Sequence, residues 1–185
     1  VARNKLGEVR FARNDFAGAL AAHTEALALN EALLAIDPGN VTYRRDMSYT
    51  QERLGDVYLA MGDRKAAEAA FATSLGITEA LVTEFPGDEN MLRDLSVSYE
   101  RGGDTRVASG DYAAALESYG KALTIREEFA ARDPGNTLRQ RDLAVTFERI
   151  GDTNNLLGDR ESALLAQQAA AAIRARLASL DPTNM

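Results

Sequence analysis

Residues 55–71 read GDVYLAMGDRKAAEAAF, and 48 positions later residues 103–119 read GDTRVASGDYAAALESY. The phrase returns at 151–167 as GDTNNLLGDRESALLAQ and has already occurred at 7–23 as GEVRFARNDFAGALAAH. Other landmarks keep the same interval: Pro38, Pro86, Pro134 and Pro182; Asp15, Asp63, Asp111 and Asp159. A fixed period of this size marks a stacked repeat, in which each copy is one supersecondary element that cannot bury its apolar face alone. The absence of insertions is what docking every copy on the next in the same way requires.

Each copy reads as two helices. Asn40, Asp88, Asn136 and Asn184 follow the proline turns, where an N-cap opens a helix. That helix runs to a second break at Asn14-Asp15, Gly62-Asp63, Gly110-Asp111 and Gly158-Asp159. Gly or Asn suits the left-handed position after a helix, and the aspartate caps the helix that follows. The second helix then continues to the next proline, which cannot propagate it. Its expected buried face holds the column Leu29, Ile77, Ile125 and Ile173 and, four residues on, Leu33, Leu81, Phe129 and Leu177. Small residues recur at Ala19, Ala67, Ala115 and Ala163 and at Ala26, Ser74, Ala122 and Ala170, which lets helix axes approach closely. The expected fold class is therefore all-α: an α-α superhelical solenoid of four helix-turn-helix repeats, eight antiparallel helices in one domain over 1–185. The repeats fall at about 1–39, 40–87, 88–135 and 136–183.

Bulk composition narrows the function. Of 185 residues, 45% are hydrophobic and 26% charged, an ordinary globular balance. The net charge of −7, with no run of Lys and Arg, argues against a nucleic-acid partner. No cysteine is present, which removes disulfides, thiolate metal sites and cysteine nucleophiles and fits a cytoplasmic chain. No uninterrupted apolar run reaches the ~18 residues of a membrane span, so no membrane partner is expected. His23, the single histidine, falls in an aromatic column with Phe71 and Tyr119, which gives it a structural role in or near the core. Without a partner Cys, or Ser and Asp in a triad, it makes no catalytic centre. The glycines are spaced turn signals and form no phosphate loop. No calcium-loop spacing accompanies the carboxylates. No catalytic residue, cofactor or metal is expected.

The columns resemble the tetratricopeptide repeat, whose pattern asks for Trp, Leu-Gly, Tyr, Ala, an aromatic residue and Pro. Residues 54–58 supply Leu54-Gly55 and Tyr58, and Ala67 and Phe71 follow. The Trp place holds Arg3, Gln51, Tyr99 and Phe147, and the later aromatic place His23, Phe71, Tyr119 and Gln167. The family repeat has about 34 residues, whereas this one has 48. Seven extra residues precede the proline and seven lie in the first helix, each close to two helical turns. The pattern is that of a tetratricopeptide-like array with lengthened helices of roughly 30 Å.

The resemblance implies a scaffold that holds a peptide or protein segment in a groove lined by the first helices. On those helices acidic residues recur four apart: Glu52 and Asp56, Glu100 and Asp104, Glu148 and Asp152, with Asn4 and Glu8 in the first repeat. Like charges at this spacing slightly destabilise a helix, so their recurrence needs a reason. One reading is an acidic ladder that receives a basic or amide-rich partner segment. The other is an ion-pair network with Arg45, Arg93 and Arg141 and with Lys5, Arg53, Arg101 and Arg149. Tyr49, Val97 and Val145, with Val1, lie on the same stripe, either as apolar ligand contacts or as packing between repeats. The family's carboxylate clamp needs Lys and Asn where this chain is mainly acidic, so that specificity is not carried over.

Gly102 stands where the other repeats have Leu6, Leu54 and Ile150, a local weakness or a bend. The chain opens inside a first helix and closes at the cap of another repeat. It is thus expected to be a segment of a longer array, prone to self-association through its ends. The expected function is a protein-protein interaction scaffold. The alternative is a sensor or spacer arm that positions an effector domain in a larger signalling protein.

Overall fold

The computed structural model describes residues 2–180. Eight helices occupy them: α1 Ala2–Ala12, α2 Phe16–Ile36, α3 Val41–Ala60, α4 Arg64–Glu84, α5 Glu89–Ser109, α6 Tyr112–Arg132, α7 Thr137–Leu157 and α8 Arg160–Leu180. No strand occurs among the described residues. From α2 onward each helix has 20 or 21 residues, about 31 Å at 1.5 Å per residue.

The punctuation behaves as its chemistry dictates. Asn14 and Gly62, Gly110 and Gly158 adopt the left-handed conformation, with φ of 61°, 83°, 83° and 89°. Glycine does so without steric cost, and asparagine is the side chain that tolerates it best. Asp15, Asp63 and Asp111 accept hydrogen bonds from the amides of Gly18, Ala66 and Ala114, satisfying orphan donors at the start of α2, α4 and α6. Asp159 does the same for Ser162 before α8. Asn40 and Asn136 cap α3 and α7 through Tyr43 and Arg139, and Asp88 serves Asn90 and Met91 at α5. Pro182 and Asn184 lie outside the described residues.

The chain forms two compact units, Val1–Gly102 and Gly103–Met185, divided at the Gly102-Gly103 pair within α5. In the first unit α1 packs on α2, α2 on α3 and α3 on α4. The 89–102 stretch of α5 meets α3 and α4 through Asp94 and Ser98. In the second unit α6 packs on α7 and α7 on α8.

Both cores are built largely of alanine. Ala19, Ala22, Ala26, Ala67 and Ala70 are buried in the first unit, and Ala115, Ala122, Ala144, Ala163 and Ala170 in the second. Leu54, Val57, Phe71 and Leu81 supply bulk to the first, Tyr119 and Phe129 to the second. A ring lies directly over the helix backbone at the repeat's glycine column in the first three copies, Gly7, Gly55 and Gly103. A Cβ on Gly55 would stand 2.5 Å from the Phe71 ring, and one on Gly103 2.4 Å from Tyr119. Glycine is the residue that admits a ring at that separation.

The expected buried face needs correction. Leu81 and Phe129 are buried, but Leu33, in the same column, is 38% exposed, and Leu29, one turn earlier, is 56% exposed. Ile77, Ile125 and Ile173 are half-buried. Burial is deepest instead in the small-residue columns, Ala19, Ala67, Ala115 and Ala163 and then Ala26, Ser74, Ala122 and Ala170, with Ala22, Ala70, Ser118 and Ala166, one residue before the ring positions, buried beside them. α1 has 11 residues against the 21 of α2, so the second half of α2 extends past it.

α2 is also the one described helix long and apolar enough to pass for a membrane span by composition, with mean hydropathy of 1.2. The expectation of no such segment is corrected to that extent. In this fold three of its polar residues are engaged: His23 and Asn30 hydrogen-bond to α1 and α3, and Glu25 pairs with Arg3.

Candidate functional site

The first helices bring most predicted site residues of the first unit to two clefts, α1 and α3 meeting at one, α3 and α5 at the other. The larger cleft, about 400 Å³, is lined by Arg45, Asp46, Tyr49, Glu52 and Arg53 of α3 and Arg93, Asp94 and Val97 of α5, with Thr42 and Ser48. Tyr49 is 40% exposed, and the Arg53 guanidinium stands over its ring, 5.2 Å from the centroid. Its hydroxyl donates to Glu8. Burial and that bond push the Tyr49 phenol up to about 12, so it stays a donor through the physiological range.

The acidic residues fare differently from one another. Glu52 is only 6% exposed. Its Oε1 accepts from Ser98 Oγ at 2.9 Å and Ser74 Oγ at 3.3 Å, and Ser48 approaches Ser74 Oγ at 2.8 Å. Burial raises the Glu52 carboxyl above its ordinary range; the serines and the Arg53 and Arg101 charges oppose that rise. Asp56 is half-buried and pairs with Arg53 at 3.1 Å and with Arg101 at 3.5 Å. In the second unit Asp104 receives Arg149 at 2.6 Å and the Tyr119 hydroxyl at 2.8 Å. The two arginines Arg101 and Arg149 thus each reach back 45 positions to the aspartate of the preceding repeat. Arg45 bridges to Asp94 at 2.7 Å. Glu148 pairs with Arg174, Asp152 is exposed, and Glu100 and Val145 are half-buried. Ion pairs of this exposure contribute about 0–1 kcal/mol each, so they set register more than stability.

Asn4 departs most from a surface role. It is 5% exposed and lies inside a network that composition does not announce. His23 Nδ1 donates to Asn4 Oδ1 at 3.0 Å, and Asn4 Nδ2 donates to Thr50 Oγ1 at 2.8 Å. Asn30 Nδ2 donates to the same oxygen at 3.0 Å, and the Thr50 hydroxyl donates to the Asp46 carbonyl at 2.7 Å. Every direction follows from the last, because the threonine has one proton and two lone pairs. The histidine is therefore held with its proton on Nδ1. Burial lowers its pKa and keeps it neutral. The recurrence of Thr50, Ser98 and Thr146 in one column is the signal that a polar seam runs between hairpins.

The second, smaller cleft, about 230 Å³, is lined by Glu8, Phe11, His23, Arg53 and Asp56. Sequence reasoning singled out its two acids but neither Phe11 nor the histidine as a lining residue. Among the described residues no group of three or more His, Asp or Glu is placed to hold a metal ion.

The tetratricopeptide-repeat model matches residues 50–80 and 98–129. These are tetratricopeptide repeats. The matched stretches begin 48 residues apart (98 − 50) and each joins the later half of a first helix to most of the second. Residues 81–97, between them, hold the added turns at the far end of the hairpin. The solved structure of BtubC (BKLC) from P. vanneervenii has a TM-score of 0.75 at 17% identity, over 95% of this chain and 63% of that one. The chain thus spans less than two thirds of that relative. A putative kinesin light chain with nearly identical TPR-like repeats, from Podosopora anserina, has a TM-score of 0.57 at 13% identity, over 95% of both chains. At such identities the likeness is one of fold, the all-α repeat of the solenoid kind. None of the curated proteins compared matches the sequence significantly. Tetratricopeptide repeats generally mediate protein-protein interaction, and this chain has that scaffold.

Proposed function

We propose that the chain is an interaction scaffold that seats an extended peptide segment of another protein across the first helices of the unit 1–102. The cleft between α3 and α5 carries the reading. It offers the exposed Tyr49 ring and the half-buried Val97 as apolar contact, flanked by the Arg93 guanidinium and the Asp46 carboxylate. Neither of these two charges has an ion-pair partner among the described residues. Rigid aromatic anchors with polar groups at the rim are what peptide grooves use. Of the predicted ladder, Glu8 and Asp56 face this surface through the smaller cleft, while Asn4 and Glu52 support it from inside. A 12-residue random peptide pool displayed on phage tests the proposal. The parent chain should enrich discrete peptides, and a Tyr49→Ala, Val97→Asp variant of equal helicity should bind them about tenfold or more weakly. Enriched peptides bound equally by the variant would move the site elsewhere. Failure to enrich any peptide would leave a positioning arm as the better account.

A further inference from the structure

The larger cleft, between α3 and α5, is balanced in charge. Arg45, Arg53 and Arg93 line it together with Asp46, Glu52 and Asp94. Arg45 and Asp94 satisfy each other at 2.7 Å. Glu52 and Arg53, neighbours in sequence, do not. Glu52 is 6% exposed. Its Oε1 takes the hydroxyl protons of Ser98 and Ser74, while no hydrogen bond is made to Oε2 among the described residues. The Arg53 guanidinium spends Nη1 on Asp56 at 3.1 Å. Its Nη2 stands 3.9 Å from Glu52 Oε2, beyond hydrogen-bond reach. A buried carboxylate oxygen and a guanidinium N–H are thus held side by side, each without a bond.

Arg53 Nε is fully enclosed without a partner, but Nη2 and Glu52 Oε2 are not sealed in that way and open to the cleft. Polar atoms left unbonded at such depth are costly, and one incoming group can serve both if it accepts from Nη2 and donates to Oε2. An ammonium has donors only and would meet the Arg53 guanidinium. A carboxylate has acceptors only and would meet Glu52. A hydroxyl must serve both atoms through a single oxygen. A primary carboxamide carries its acceptor oxygen and its donor nitrogen side by side, and it is neutral, as the balanced lining requires. Burial raises the Glu52 carboxyl, and a donor at Oε2 would oppose that rise as the serines at Oε1 do.

Resting on the groove reading above, we propose that the α3–α5 cleft reads glutamine: the carboxamide of a partner glutamine accepts from Arg53 Nη2 and donates to Glu52 Oε2. Glu52 lies deep in the cleft, which favours the longer stem of glutamine over that of asparagine, its methylenes passing Val97. The repeat itself adds an argument. In the first copy the place of Glu52 is held by Asn4, which bonds at both ends inside the seam. In the fourth it is held by Glu148, which gives both oxygens to Arg174. Glu52 departs from both, with one oxygen held by serines and the other open beside an unbonded donor.

The random 12-residue pool tests this as well, panned against the 185-residue chain and against its Glu52→Gln variant of equal helicity. Peptides enriched by the parent should carry glutamine at one fixed position. Resynthesised with methionine or glutamate there, they should bind the parent about tenfold more weakly by calorimetry, the loss of a charge-assisted bond. Glu52→Gln is isosteric and keeps an oxygen for the serines, but it turns the open acceptor into a donor beside Arg53 Nη2. Two donors suit a carboxylate, so the variant should prefer the glutamate peptide to the glutamine one. Discrete peptides without a fixed glutamine, or equal affinity of the parent for the methionine version, would overturn the subsite and leave the groove standing. An unchanged preference in Glu52→Gln would overturn it too, by removing Glu52 from the recognition. If the parent enriches no discrete peptide, the groove and the subsite fall together.

Discussion

The first and second hairpins are written in the same columns and packed differently. Leu33 on α2 and Leu81 on α4 share a position, yet one is 38% exposed and the other 1%. Along α4 lie the 20 residues of α3, and along α2 the 11 described residues of α1. Their seams differ as well. Around Thr50, neutral amides from Asn4 and Asn30 converge on a hydroxyl and every bond is directed. One repeat later the place of Asn4 is taken by Glu52, a buried carboxylate held by serine hydroxyls. The repeat thus specifies a backbone and a spacing, and leaves the chemistry at the seam free to vary.

The comparison breaks most readily at the leucines. Leu81→Ala should cost about 2–5 kcal/mol, since it empties a filled site. Leu33→Ala should stay within roughly 1 kcal/mol, as surface substitutions do. Urea denaturation followed by far-UV circular dichroism would measure both, and equal losses would mean that α2 is covered in solution as α4 is. Next in size is Gly55→Ala, whose methyl must displace the Phe71 ring at an expected cost of about 1–3 kcal/mol. A neutral effect in thermal melts would show that the ring has room to move.

The smallest effect sharpens the contrast between seams. Because the Glu52 carboxyl titrates above its unfolded range, the folded chain holds the proton more tightly than the unfolded one. Its stabilising share is complete below the unfolded glutamate pKa and is lost as pH rises through the folded value. Glu52→Gln should remove that slope, so the variant gains on the parent as pH is raised from the acid side toward neutrality. Parallel stability profiles for parent and variant would show that the serines and arginines fully offset the burial of the charge.

Much of this was legible beforehand, for local reasons. Asn14, Gly62, Gly110 and Gly158 announce left-handed turns because few other residues adopt them cheaply, and the aspartates that follow cap because their oxygens reach the next free amides. Helix length was legible too, since the added residues come as pairs of turns. The site was legible only in part. Glu8, Tyr49, Glu52, Asp56 and Val97 all lie on or beneath the predicted surface, but spacing alone could not separate the exposed from the enclosed. Glu52 and Asp56 are four residues apart on one helix. A neighbouring helix carrying Ser98 covers the first, whereas arginines at the edge leave the second half open.

By itself, then, the sequence determined the repeat: its period, its two helices, its turns and caps, and the ring over the repeated glycine in the first three copies. Those follow from interactions within a hairpin, where residue type and short spacing suffice. Only the tertiary structure decided which charges are paired, which carboxylate is buried, and that Asn4 lies inside a hydrogen-bonded network with Thr50. These depend on side chains from three helices meeting across 20 to 46 positions of sequence, and at that range direction in space, which no column records, selects the partner.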